Sequence, residues 1–298
     1  MSIPAEFREF QLPLALFKNI LFAMDFLPGS LLAFPFAAEI AFRYGAKIFV
    51  AHIVPDEDYD AIPSQREVIV HKLQAAMEES LGGGPVASLS EIPHEILFDH
   101  GSISSRLLAA ADKSKIDLIV IGTHGWQGIK KLLKGSTAEE IASVATKPVL
   151  TVGPNVSHRF DFKVILYATD FLKAATHALP YALSLAQIYD AHLFFLHVND
   201  WNSREAPAQA WQTTSNYFRQ QLERHGRVGV MRDFEVVVDF GPTVDRILEQ
   251  AAKRNADLIV MGLHHRNEIR ARIAAHLPGS TSYDVASRAS CPVLTVPE

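Results

Sequence analysis

Cysteine is nearly missing from this chain. Its 298 residues contain one, Cys291, which excludes a disulfide within the chain and a cysteine-based zinc cluster. Cys291 precedes Pro292 at the head of the apolar run "CPVLTV", the setting of a buried, inert thiol. No apolar run reaches the ~20 residues needed to cross a bilayer. The opening "MSIPAEFREFQLPLALFKNI" lacks a basic n-region and carries acidic residues early, unlike a secretory signal. The expectation is a cytoplasmic protein with no membrane partner. A strong charge of either sign is missing too: 28 Lys and Arg stand against 33 Asp and Glu. Residues 1–155 hold 13 basic and 18 acidic residues, and the remainder 15 of each. Neither half has the basic footprint that nucleic acid requires. Three motifs are absent as well. There is no G-x-x-x-x-G-K-[ST] P-loop, no G-x-G-x-x-G dinucleotide fingerprint and no G-x-S-x-G nucleophile elbow.

What is present is a repeat. "DLIVIGTHG" at 117–125 answers "DLIVMGLHH" at 257–265, and "KPVLTVGP" at 147–154 answers "CPVLTVPE" at 291–298. "NILFAMDF" at 19–26 answers "VILYATDF" at 164–171, and "AHIV" at 51–54 answers "LHVN" at 196–199. "HGSISSRLLAAADKSKIDLIV" from His100 answers "FGPTVDRILEQAAKRNADLIV" from Phe240. The order is the same and the offset stays between 140 and 145 residues, so the chain carries two copies of one domain rather than a solenoid. The polar stretch "GPNVSHRFDF", 153–162, reads as the linker. Residues 1–17 form an extension without counterpart, followed by domains at 18–155 and 161–298.

Within each copy, short, nearly continuous apolar runs ("NILFAM", "KIFVAHIV", "DLIVIG", "PVLTV") alternate with helical patterns. Strands apolar on both faces belong in a parallel sheet covered by helices on both sides. After Gly101, residues Ile103, Leu107, Leu108 and Ala111 share a helix face. After Gly241, Pro242 stands near a helix start. The fold class is therefore α/β, with two tandem doubly wound parallel-sheet domains of five strands each. Ligands of such sheets bind beyond the carboxyl ends of the strands, where strand order reverses. That edge receives Asp25 after the first strand and the loop "GTHGWQGIKKLLKGST" after the fourth.

The loop has a chemistry of its own. Gly122 and Gly125 follow the strand directly, and glycine there permits a positive φ and close approach of a ligand to the backbone. Nine residues separate Gly125 from Gly135. Ser136 reads as an N-cap and Glu139 completes a capping box. A helix start presents free N–H groups and partial positive charge, a seat for phosphate, and the hydroxyls of Ser136 and Thr137 add donors. Any one of these glycines alone is better explained by a turn; the joint spacing is more specific.

G-x2-G-x9-G-[ST] after a fourth strand resembles the nucleotide-binding signature of the universal stress protein family. The Asp closing the first strand, the "HIV" and "LHV" of the second, the Gly before the third helix and the final "PVLTV" are similar to that family as well. The resemblance spans nearly all of residues 18–298, as two tandem copies. It implies an adenine nucleotide alpha-hydrolase-like fold. It also implies an adenine nucleotide held beside Asp25 and Ile53, with ribose and phosphates at Gly122, His124, Gly125, Gly135, Ser136 and Thr137. His124 equally reads as a solvent-facing loop histidine. The family's last strands commonly meet edge to edge, so the two copies are expected to pair as an intramolecular pseudo-dimer. Whether two chains form a homodimer stays open.

The second copy departs. Asp170, Gly262, Gly279, Ser280 and Thr281 survive, but His265 replaces the second glycine and the spacer to Gly279 is thirteen residues, 266–278. A β-carbon there opposes a positive φ and a phosphate hugging the chain. The second site is expected to be weakened, altered or lost. Arg266, Arg270 and Arg272 read as a solvated helix face rather than a phosphate site. His264, His265 and His276 lack the register of a metal motif, and no metal is expected. The expected function is ATP binding in the first domain, with or without Mg2+, by a stress sensor or regulator acting on an unknown protein partner. Hydrolysis is expected to be weak or absent and no catalytic residue is assigned, because no Mg2+-holding carboxylate set or arginine finger is assignable. The rival readings are an interaction protein without nucleotide and an ATP-using enzyme on the same scaffold. Against the second, a pyrophosphatase loop of the S-G-G-x-D-S kind is absent.

Overall fold

The computed structural model describes residues 17–56, 62–82, 86–123, 137–199, 207–224, 234–263 and 281–298. The first half runs β1 (Asn19–Ala23), α1 (Pro28–Tyr44), β2 (Lys47–Val54), α2 (Ile62–Ser80), β3 (His94–His100), α3 (Ile103–Lys113), β4 (Leu118–Gly122), α4 (Thr137–Val144) and β5 (Val149–Val152). The second half repeats this order. It runs β6 (Val164–Thr169), α5 (Lys173–Tyr189), β7 (His192–Asn199), α6 (Pro207–Arg224), β8 (Phe234–Phe240), α7 (Thr243–Arg254), β9 (Leu258–Leu263), α8 (Thr281–Arg288) and β10 (Val293–Pro297).

The strands form one ten-stranded sheet in the order β3-β2-β1-β4-β5-β10-β9-β6-β7-β8. All neighbours within a half are parallel. At the centre, β5 and β10 pair antiparallel, with Leu150 opposite Leu294. Each half would otherwise present a bare edge of unpaired N–H and C=O groups; pairing the two edges removes both. The central strands are buried on both faces, which is why they read as unbroken aliphatic runs.

The halves share a core. Phe17 is buried between Tyr44 of α1 and Tyr181 of α5, with ring centroids 5.0 and 5.8 Å away. The last residue of the expected extension is therefore part of the folded body. Phe36 of α1 meets Phe160 and Phe162 of the linker, and the Tyr44 and Ser184 hydroxyls are 3.0 Å apart.

One repeated residue explains how β1 is fixed beside β4. Asp117 Oδ2 accepts the backbone N–H groups of Lys18 and Asn19, both at 2.9 Å. Asp257 Oδ2 does the same for Lys163 and Val164 at 3.0 and 2.9 Å. These are charge-assisted bonds to N–H groups at the strand starts. The helical stripe in α3 differs from the expected one at its beginning. Leu107 and Ala111 are buried, but Ile103, at the first helical position, is 44% exposed.

Candidate functional site

The order β3-β2-β1-β4-β5 reverses between β1 and β4, and the structure opens there. The β1–β4 ladder stops at Phe22 opposite Val120. β1 continues beside β2 to Ala23 opposite Ala51, and β4 continues beside β5 to Gly122 opposite Val152. The β1–β4 pairing thus ends before the carboxyl ends of the two strands, at the place where ligands of doubly wound sheets sit. The second half does the same: the β6–β9 ladder stops at Ala168 opposite Met261, while β9 follows β10 to Leu263 opposite Pro297.

Asp25 stands on the β1 side. Its Oδ1 accepts the Leu27 N–H at 2.9 Å and the Ser30 hydroxyl at 2.7 Å, closing a tight turn into α1. The turn forces Phe26 into the left-handed region, φ 64°, a conformation that is rare for a bulky side chain. What offsets the strain is packing. The Phe26 ring lies edge-on to His52, centroids 5.2 Å apart. His52 Nδ1 lies 2.8 Å from the Met24 carbonyl. A carbonyl only accepts, so Nδ1 carries the proton, and the ring ties the end of β2 to the end of β1. Ile53, next along β2, points to the opposite face, half-buried against the cluster around Leu107 and Ile121. The second half copies this turn, with Phe171 at φ 64°, Asp170 Oδ1 accepting from Leu172 and His197 Nδ1 2.9 Å from the Thr169 carbonyl. It lacks the serine, since Ala175 occupies the position matching Ser30. These turns went unread in the sequence, because the left-handed residue is a phenylalanine and not a glycine.

Gly122 stands on the β4 side, and the reason for it differs from the one its sequence context suggested. Its φ is not positive; the described positive-φ glycines are Gly45, Gly101 and Gly241. A β-carbon on Gly122 would lie 2.0 Å from the Gly29 carbonyl oxygen and 2.2 Å from its carbon. The first turn of α1 sits directly on the end of β4, and only a residue without a side chain fits beneath it. Gly262 is held the same way, 2.4 Å from Ala174 C and Ala175 N of α5. Survival of Gly262 in the second copy therefore reports helix–strand packing and carries no argument for a second ligand.

The described residues of α4 and α8 run from Thr137 and from Thr281, and Thr281 is exposed. His124, Gly125, Gly135 and Ser136, and likewise Gly279 and Ser280, lie outside the described residues. So do His264, His265 and His276, with Arg266, Arg270 and Arg272. Among the described residues no group of three or more His, Cys, Asp or Glu could hold a metal ion, and no helix is long and apolar enough to cross a membrane. At the ends of β2 and β3, His100 Nδ1 lies 2.6 Å from Asp56 Oδ1, and Arg106 Nε lies 3.9 Å from Asp99. In the second copy Phe240 matches His100.

A strand order that reverses between β1 and β4, and between β6 and β9, defines a tandem doubly wound α/β protein. The chain belongs to the universal stress protein family, whose profile matches residues 16–153 and 161–297. Universal stress protein A homolog 1 of Coxiella burnetii is 32% identical over 143 residues, 46% of this chain and 96% of that protein. A universal stress protein of Methanocaldococcus jannaschii is 31% identical over 144 residues, 46% of this chain and 82% of its own length. A solved universal stress protein from Archaeoglobus fulgidus shares the fold across both halves. Its TM-score is 0.70 at 21% identity, covering 94% of this chain and 98% of that one. A solved universal stress protein in complex with cAMP aligns with 46% of this chain and 97% of its own at 23% identity and a TM-score of 0.36.

Proposed function

We propose that this chain binds ATP, with or without Mg2+, in the crevice of its first half and acts as a nucleotide-dependent stress regulator that hydrolyses ATP weakly or not at all. The observation that carries the reading is the parting of β1 and β4 between Asp25 and Gly122, at the reversal point where such sheets bind ligands. In this reading Asp25 and Ile53 meet the adenosine. Backbone N–H groups from His124 and Gly125 to Gly135, Ser136 and Thr137 receive the phosphates. Gly122 contributes by letting α1 close onto β4, which sets where the loop departs.

The first half is favoured over the second because Gly125 is replaced by His265 there, with a longer spacer to Gly279. Asp170, Gly262, Gly279, Ser280 and Thr281 then form at most a weaker site. Regulation follows from occupancy: nucleotide changes the order of the loop and its affinity for a protein partner, by no more than its differential affinity for the two states. We place the units at 18–155, with Phe17 packed onto the first, and 161–298, and the protein in the cytoplasm, with neither nucleic acid nor membrane as partner.

Calorimetric titration with ATP tests this in the intact chain, in Gly125→Val and in Gly279→Val. The expected result is one site in the intact chain, lost in Gly125→Val and kept in Gly279→Val. Absence of binding in the intact chain would favour an interaction protein without nucleotide, and binding lost only in Gly279→Val would move the site to the second half.

A further inference from the structure

The seam between the halves contains a buried carboxylate that the nucleotide reading does not use. Glu39, on α1, is 1% exposed. Its Oε1 accepts the Arg43 Nε–H at 2.7 Å, and its Oε2 has no hydrogen-bond partner among the described residues. Tyr189, on α5 in the other half, is equally buried, and its hydroxyl also has no such partner. The Arg43 guanidinium lies over the Tyr189 ring, 5.0 Å from its centroid, and reaches Asp161 Oδ1 in the linker at 3.3 Å. Lys163 pairs with Asp161 Oδ2 at 3.2 Å and donates to the Tyr189 carbonyl at 3.0 Å. The groups around Glu39 are thus Arg43 and Tyr44 on its own helix, Asp161 in the linker and Tyr189 on α5, with Lys163 behind Asp161.

One guanidinium, itself one-third exposed, is shared between two carboxylates, while one Glu39 oxygen is buried with no hydrogen-bond partner among the described residues. An ionised carboxylate in that position is costly. Burial accordingly raises the Glu39 carboxyl above the ordinary glutamate value; Arg43 pulls it back but does not win, and Asp161 adds to the rise.

We propose that Glu39 is a proton-binding site that couples the pairing of the two halves to pH, so that uptake of a proton tightens the seam. A neutral Glu39 removes the buried charge and gains an O–H donor, while Arg43 keeps Asp161. The closed seam holds this proton more firmly than the opened chain. The stabilisation is therefore fully present below the ordinary carboxylate value and is lost as pH rises through the raised value.

The test uses the full chain. Carboxyl-carbon NMR follows the Glu39 titration, and hydrogen exchange of the β5 and β10 amides, corrected for the chemical rate, follows seam opening. The expected results are a Glu39 midpoint above the ordinary value and an opening constant that falls as pH is lowered through that window. The fall is about tenfold per unit of pKa difference between closed and opened forms. In Glu39→Gln that dependence is absent. Should Glu39→Gln fail to fold, Asp161→Asn leaves Glu39 in place and lowers its midpoint. A Glu39 midpoint at or below the ordinary value, parallel pH profiles in wild type and Glu39→Gln, or a midpoint indifferent to Asp161→Asn would each overturn the proposal.

Discussion

Replacing Gly122 with alanine adds one methyl group, and its cost can be read from the structure. The new carbon would stand 2.0 Å from the Gly29 carbonyl oxygen, and ordinary contact begins near 3.4 Å. The first turn of α1 must therefore retreat by roughly 1.4 Å from the end of β4. The obstacle is backbone, so no side-chain rotation relieves it. Overpacking a well-filled core costs about 1–3 kcal/mol, and this contact belongs at the upper end, about 3 kcal/mol. Gly262→Ala meets Ala174 and Ala175 at 2.4 Å and should cost about 2–3 kcal/mol. The assay is urea denaturation of both variants without nucleotide, read as a lowered midpoint at unchanged m. A ligand-only role predicts that both variants match wild type under these conditions. Losses below about 0.5 kcal/mol, the range of neutral surface changes, would refute the packing argument.

Three further outcomes follow from other contacts. Asp257→Ala strands the N–H groups of Lys163 and Val164 and should cost about 3 kcal/mol in the same assay; Asp117→Ala should cost less, because the Lys18 N–H it serves is exposed. Burial pushes the Cys291 thiol up to about 12, so the native protein should resist alkylation at pH 8 and react in denaturant. Burial likewise raises the Tyr44 phenol to about 12, against its bond to Ser184. Because the folded chain holds that proton more firmly than the unfolded one, stability should fall as pH rises from about 10 to about 12. Phe replacing Tyr44 should remove that part of the fall in a pH series of melting curves.

Much of the fold was legible because the chain states it twice. The paired runs "DLIVIG" and "DLIVMG" became β4 and β9, and the matching "PVLTV" segments became the strands that join the halves. Asp25 could be placed at the strand ends for the same reason. What stayed hidden depends on contacts far apart in sequence. Gly122 reads as a loop glycine until Gly29, over ninety residues earlier, is seen resting on it. In the sequence Asp117 and Asp257 are only the first letters of the "DLIV" runs, and their bonds to the starts of β1 and β6 span nearly a hundred residues. Phe26 and Phe171 carry no local sign of a left-handed turn, since their strain is offset by imidazoles on the next strand. Ile103 fits the helical stripe by spacing yet faces solvent at the helix start.

A crystal structure grown with excess ATP would test the central claim most directly. The account predicts nucleotide in the first half, its base beside Asp25 and its phosphates along the start of α4. Nucleotide beside Asp170 with the first crevice empty would contradict it.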